Sequence, residues 1–272
     1  MERASREFLA ERFAEAFEEL SKAAELNPAD PAAHHGLGEV YEKLAMRQAA
    51  EVCYRRAVEA DPGYWPATES LIKVLYDLGE HEKALAAVTR AEARRPNEPY
   101  LCAEKALNLI RLGKAADAVP LLLRYNETKG RQAWGYTQLA RAQEEAGQVD
   151  AAERTYREAI AIDPFFSTAH FWLGQLLIAR GKKAEAETSL ETYRKLRDLQ
   201  TQEERLVMAL LGNRDDINAI VLLARTRFQL GKRQEALSTL RKALDLAPGE
   251  EKLRSLYESV RRQVEGPEKG TR

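Results

Sequence analysis

Cysteine is scarce in this 272-residue chain, with Cys53 and Cys102 its only two. Two thiols build no disulfide framework and their spacing fits no metal-ligand pattern, so both read as buried, inert side chains. An excess of one charge is missing as well: 42 Lys and Arg stand against 43 Asp and Glu. No global field draws the chain to nucleic acid, membrane or an acidic substrate, and any electrostatic preference has to be local. Long apolar runs are absent too. The opening MERASREFLAERF breaks its apolar residues with charges, so neither a signal peptide nor a bilayer span is read. The cytoplasm is the expected compartment, while a secreted or periplasmic chain freed of its leader fits the same composition.

Catalytic signatures are also lacking. There is no GxxxxGKS/T, no GxGxxG, no HExxH and no GxSxG. A non-enzyme without metal or cofactor is expected. His34, His35 and His170 lie near helix starts and His81 in a turn, positions that suit structural roles. The neighbouring acids Glu144 and Glu145 read as solvated helix surface.

What the chain does have is regular punctuation. Pro28, Pro62 and Pro96 each end an apolar helical run and stand 34 residues apart; the same step then reaches Gly130 and Pro164. Gly and Pro stop helices, so stops at a fixed interval imply a tandem array of supersecondary units. From Pro164 to Pro248 is 84 residues, 16 more than two such steps, which places an insertion between them. Each copy carries the same interior pattern: Leu37, Gly38 and Tyr41, then Ala50, Tyr54 and Ala57; later Leu139, Ala140, Ala152, Tyr156 and Ala159; last Leu223, Ala224, Ala236, Leu240 and Ala243. Small residues let paired helices approach while Leu and Tyr fill the hole opposite. Gly79, Gly113, Gly147, Gly181 and Gly231 recur between the helices of each pair, where a left-handed turn is needed. Asp30 before Pro31 is an N-cap followed by proline at the first helical position.

This pattern resembles the tetratricopeptide repeat family. The resemblance implies an all-α, right-handed superhelix of about six helix-turn-helix repeats with capping helices. Residues 1–30 form an N-terminal partial repeat, a shortened helix followed by a second one; 31–198 hold five repeats; 199–216 are a helical insertion, an extended or an additional helix; 217–250 are a further repeat. A capping helix follows over 251–265, carrying the stripe Leu253, Leu256, Tyr257, Val260 and Val264, and 266–272 are expected to be a flexible tail. His34 and His170 stand where the family keeps Trp, Lys105 where it keeps Leu, and Pro120 falls inside a second helix. The repeat from Pro99 to Gln132 therefore departs furthest from the pattern.

Members of the family bind ligands on the concave surface made by the first helices. Helical spacing puts Thr168, Phe171, Trp172, Gln175 and Ile178 on that face. The corresponding faces of other repeats display Lys73, Tyr76, Tyr100, Arg111, Trp134, Arg141, Arg225 and Phe228. Rings interleaved with guanidinium groups suit a protein or peptide segment with aromatic or acidic anchors, held against Tyr100, Trp134, Phe171 and Trp172. They also suit single-stranded nucleic acid. A third class is structural: the apolar C-terminal stripe and the shortened N-terminal pair allow head-to-tail stacking into a homo-oligomer or filament, with the 199–216 insertion a further contact. The basic clamp with which some family members hold an acidic C-terminal carboxylate is missing, because its places carry His35, Glu39, Ser70, Tyr100 and Glu104.

Overall fold

The computed structural model describes residues 2–265, with side chains from 13 to 264. Those residues form 14 helices and no strand. The expected flexible tail, 266–272, lies outside them. The helices divide between two compact units, Met1–Ile162 and Asp163–Arg272.

In the first unit, α1 (Glu2–Leu26) precedes four helix pairs: α2 (Pro31–Lys43) with α3 (Arg47–Ala60), α4 (Trp65–Asp77) with α5 (His81–Glu92), α6 (Pro99–Arg111) with α7 (Ala115–Lys129), and α8 (Ala133–Glu145) with α9 (Val149–Ile162). Each helix packs on the next in sequence, and the first helices of successive pairs also touch, α2 with α4 and α6 with α8. The N-terminal segment differs from the sequence reading. It is one continuous helix and not two, since neither Gly nor Pro interrupts residues 2–26.

The starts and turns follow from local chemistry. Asp30 accepts the Ala32 N–H at 2.9 Å, with Pro31 opening α2. The turn glycines between paired helices have φ of 71° to 78°, the left-handed region that a side chain disfavours. The first repeat has no glycine there: Ala45, 34 residues before Gly79, holds the same turn with φ 58°. Pro120 sits inside α7, which continues through it.

Packing within a pair is set by size. A Cβ on Gly38 would fall 2.3 Å from the ring of Tyr54, which is fully buried. Glycine there lets the ring lie flat against the first helix. The Tyr54 hydroxyl donates to Glu42 at 2.6 Å, and the equivalent Tyr156 donates to Glu144 at 2.9 Å. Glu144 is therefore not merely solvated surface; it satisfies a buried phenol, while the exposed Glu145 faces Arg141 at 3.6 Å. His34 and His170 also have a structural use. Each donates its Nε2–H to the carbonyl six residues back, Pro28 and Pro164, at 2.9 Å, which fixes the tautomer because a carbonyl only accepts. Cys53 and Cys102 are buried free thiols, and burial pushes the Cys53 thiol up.

The second unit holds α10 (Ser167–Ala179), α11 (Lys183–Gly212), α12 (Ile217–Gln229), α13 (Arg233–Leu246) and α14 (Glu251–Glu265). The insertion extends α11 to 30 residues without a break. It is tied down by the buried Glu203, which accepts from Arg227 at 3.0 Å and Lys232 at 2.6 Å. Burial alone would raise the Glu203 carboxyl, but these two cations outweigh it and hold the pKa below the ordinary value. Leu253 and Val260 of α14 join the core formed by Ile220, Ala224, Leu237 and Leu240.

Candidate functional site

The first helices of unit 1 present the candidate surface, because their second faces are consumed by packing within each pair. Lys73 is exposed on α4, 4.0 Å from Glu42 of α2. Tyr76, one turn further on, is half-buried; its ring meets His81 edge-on at 5.3 Å and lies 5.7 Å from the Arg111 guanidinium of α6. Tyr76 and Arg111 thus form a cation–π pair bridging two repeats.

Tyr100 stands at the start of α6, half-buried, with its hydroxyl donating to the Glu69 carbonyl at 3.3 Å and its edge on Trp65 at 6.1 Å. Arg95 covers that Trp65 ring at 4.3 Å. Burial, with the nearby Glu104 and Glu69 carboxylates, pushes the Tyr100 phenol up. Glu104 is the residue that pattern reading passed over as a ligand group. Burial first, and then the Asp77 carboxylate, push it up to about 7. Its neighbour Lys105 is turned away and pairs with Glu92 at 2.7 Å. In sequence nothing marks Glu104; its depth and the approach of Asp77 from the previous repeat exist only once the helices stack.

On α8, Trp134 is half-buried and packs edge-on against Tyr125 of α7 at 5.4 Å. Arg141, also half-buried, lies 3.5 Å from Gln138 and 3.6 Å from Glu145. In unit 2, Phe171 contacts Trp172 and Tyr193, each at 5.1 Å, and both Phe171 and Trp172 are half-buried. Gln175 is exposed. Arg225 is exposed beside Val221, Leu222 and Glu250 at a pocket of about 300 Å³. Phe228 packs onto the Ile220–Leu240 core and works largely as interior.

The structure therefore brings Tyr76 and Arg111 together directly, and gathers Tyr100 with Glu69, Glu104 and Asp77. Trp134, Phe171 and Trp172 each divide their surface between a neighbouring ring and solvent. Among the described residues no group of three or more His, Cys, Asp or Glu is placed to hold a metal ion. No described helix is long and apolar enough to cross a membrane. The chemistry this surface supplies is stacking, hydrogen bonding and charge pairing.

Comparison with known proteins agrees with the repeat geometry. Sequence models described as tetratricopeptide repeats match residues 47–99 and 137–199 with one model, 5–44 with a second and 217–250 with a third. The chain belongs to the tetratricopeptide repeat family. The matched TPR segments omit 100–136 and 200–216, which hold most of the third repeat and the insertion. Over 167 residues, 59% of this TPR chain, it is 26% identical to the RNA polymerase-associated protein CTR9 of Caenorhabditis elegans, of whose length it spans 14%. A tetratricopeptide repeat protein from Parabacteroides merdae superposes with a TM-score of 0.61 at 19% identity, covering 95% of this chain and 96% of that one. YrrB, described as a TPR protein with an unusual peptide-binding site, gives a TM-score of 0.51 at 18% identity, over 67% of this chain and 94% of its own. These likenesses show a shared TPR fold.

Proposed function

We propose that the protein is a non-enzymatic scaffold whose first-helix face in unit 1 holds an extended partner segment carrying a basic side chain. One observation carries the reading: the Glu104 carboxyl, recessed beside Tyr100 and Asp77, is pushed up to about 7 by burial and by that second carboxylate. Two carboxyl groups that repel each other form a seat for an ammonium or guanidinium group, whose arrival relieves the repulsion. Tyr100 and the Tyr76–Arg111 pair offer flat surfaces for the rest of the segment. Glu42, Glu69, Asp77 and Glu104 outnumber Lys73 and Arg111 on this stretch, and that balance favours a basic peptide over the phosphates of single-stranded nucleic acid. The aromatic residues of unit 2, Phe171 and Trp172, offer a second surface of the same kind.

The test is fluorescence anisotropy with a labelled decapeptide of alternating Lys and Ala at pH 6 and pH 8, at one ionic strength. A cation binding Glu104 favours its ionised form, so affinity is lower at pH 6 and rises to pH 8. In Glu104→Gln the rise disappears. A pH-independent affinity in the parent, or tighter binding of a 15-mer of deoxythymidine than of the peptide, contradicts the reading.

A further inference from the structure

A second site lies on the other side of α8. At 100° per residue, Tyr136, Leu139 and Gln143 fall on the face opposite Trp134 and Arg141. That face, with α7 and α9, encloses an open pocket of about 580 Å³, wholly within unit 1. Its wall contains two amide side chains, Asn126 and Gln143. Asn126 stands where other copies carry Val58, Glu92, Ile160, Arg194 and Leu244, and Gln143 where they carry Tyr41, Leu75, Leu109, Leu177 and Arg227. At the Gln143 place four other copies keep an apolar group, which packs between helices.

Here both are polar, and both leave buried atoms unmet. Asn126 is only 8% exposed, and neither its Oδ1 nor its Nδ2 has a hydrogen-bond partner; the buried Oε1 of Gln143 has none either. Native proteins rarely leave such groups without partners, so three in one pocket wall point to an external one. The required partner is chemically narrow. Two acceptors and one amino group call for a ligand that both donates and accepts, which is the pattern of a carboxamide. An ammonium or guanidinium only donates and leaves Asn126 Nδ2 unmet. The surroundings choose between carriers of such a group. Glu127 and Glu158 stand at the pocket against one cation, Arg131, whose guanidinium lies 5.9 Å from the Tyr136 ring. Two carboxylates to one guanidinium repel a phosphate chain and favour a peptide with basic residues.

We infer that the α7–α8–α9 pocket binds a peptide segment, inserting an Asn or Gln side chain that pairs with Asn126 and Gln143 while flanking basic residues meet Glu127 and Glu158. This site is separate from the concave surface and does not depend on it.

The probe is acetyl-Lys-Gln-Lys-amide, titrated into the full, isotope-labelled chain while the side-chain amide NMR signals of Asn126 and Gln143 are followed. Both signals shift saturably with the Gln tripeptide, and acetyl-Lys-Leu-Lys-amide binds at least about tenfold more weakly. Asn126→Leu and Gln143→Leu, which place the leucine that Leu244 and Leu75, Leu109 and Leu177 supply in other copies, retain the fold and each lose the Gln–Leu discrimination. Glu127→Lys with Glu158→Lys weakens both tripeptides. Tyr100→Ala leaves the shifts unchanged, so failure here is distinguishable from failure of the concave-face reading. The inference is overturned by equal affinity for the Gln and Leu peptides, by discrimination that survives both leucine variants, or by the same signals responding to adenosine monophosphate instead. It is equally overturned if millimolar tripeptide shifts nothing, which leaves water as the occupant.

Discussion

The first and third repeats solve the same packing problem in different places. In the first, the small residue and the ring belong to one helix pair: Gly38 of α2 admits Tyr54 of α3. In the third, Tyr125 takes the position that is Ala57, Ala91 and Ala159 in other repeats, and the space for it is made by Gly135 in the next repeat. A Cβ on Gly135 would meet Asn126 Oδ1 first and would fall 2.9 Å from the Tyr125 ring. The ring has moved from the inside of a pair to the junction between pairs. Its displacement places Trp134 edge-on against Tyr125 on one side of α8 and Asn126 beside the pocket on the other. A regular repeat builds a wall; the shifted one builds cavities and recesses in it.

Breaking the two arrangements separately should show their difference. Tyr54→Ala empties a fully enclosed site and is expected to cost about 3–5 kcal/mol in chemical denaturation. Tyr125→Ala should cost less, because it restores the repeat's usual residue. The pairing across the junction is sharper in a double-mutant cycle: Gly135→Ala alone clashes with Asn126 Oδ1 and with the Tyr125 ring, and Tyr125→Ala relieves the second clash, giving a favourable coupling of about 0.5–3 kcal/mol. Additive effects would dissolve the proposed complementarity.

The third repeat differs also in carrying Glu104 where the first two have Gly36 and Ser70. Its folded pKa of about 7 lies above the ordinary 4.5, so the fold penalises the ionised form. That cost is absent below about pH 4.5 and complete above about pH 7. Glu104→Gln should therefore raise unfolding free energy by about 1–3 kcal/mol at pH 8 and hardly change it at pH 4. The smallest expected effect belongs to the turn that separates the first repeat from the rest. Ala45→Gly removes a left-handed alanine but loosens the unfolded chain, leaving a net gain of about 0.5 kcal/mol, readable as a small rise in Tm.

The regular part of this molecule is legible because its signals are local. Proline stops, left-handed turn glycines and the Gly38–Tyr54 size pair repeat at a spacing that a reader of the chain can count. The N-terminal helix was harder, since only the lack of a breaker between residues 2 and 26 distinguishes one helix from two. Periodicity also assigns a face but not a depth: it puts Phe228 with the groove rings, although the side chain packs on the core, and Glu144 on the surface, although a buried Tyr156 hydroxyl requires it. Glu104, Asn126 and Gln143 gain their chemistry from helices in neighbouring positions of the stack, so no motif of their own announces them. Glu104 and Asn126 lie in the third repeat, largely the stretch that the family matches omit, and Gln143 follows in the fourth.

The proposed role requires that a basic segment lie along the first helices of unit 1. Amide hydrogen exchange of the full chain, with and without the Lys-Ala decapeptide at pH 8, tests this most directly. Slowed exchange confined to Trp65–Asp77 and Pro99–Arg111, and lost in Glu104→Gln, is the predicted result. Protection on His81–Glu92 or Ala115–Lys129 instead, or none at saturating peptide, would contradict it.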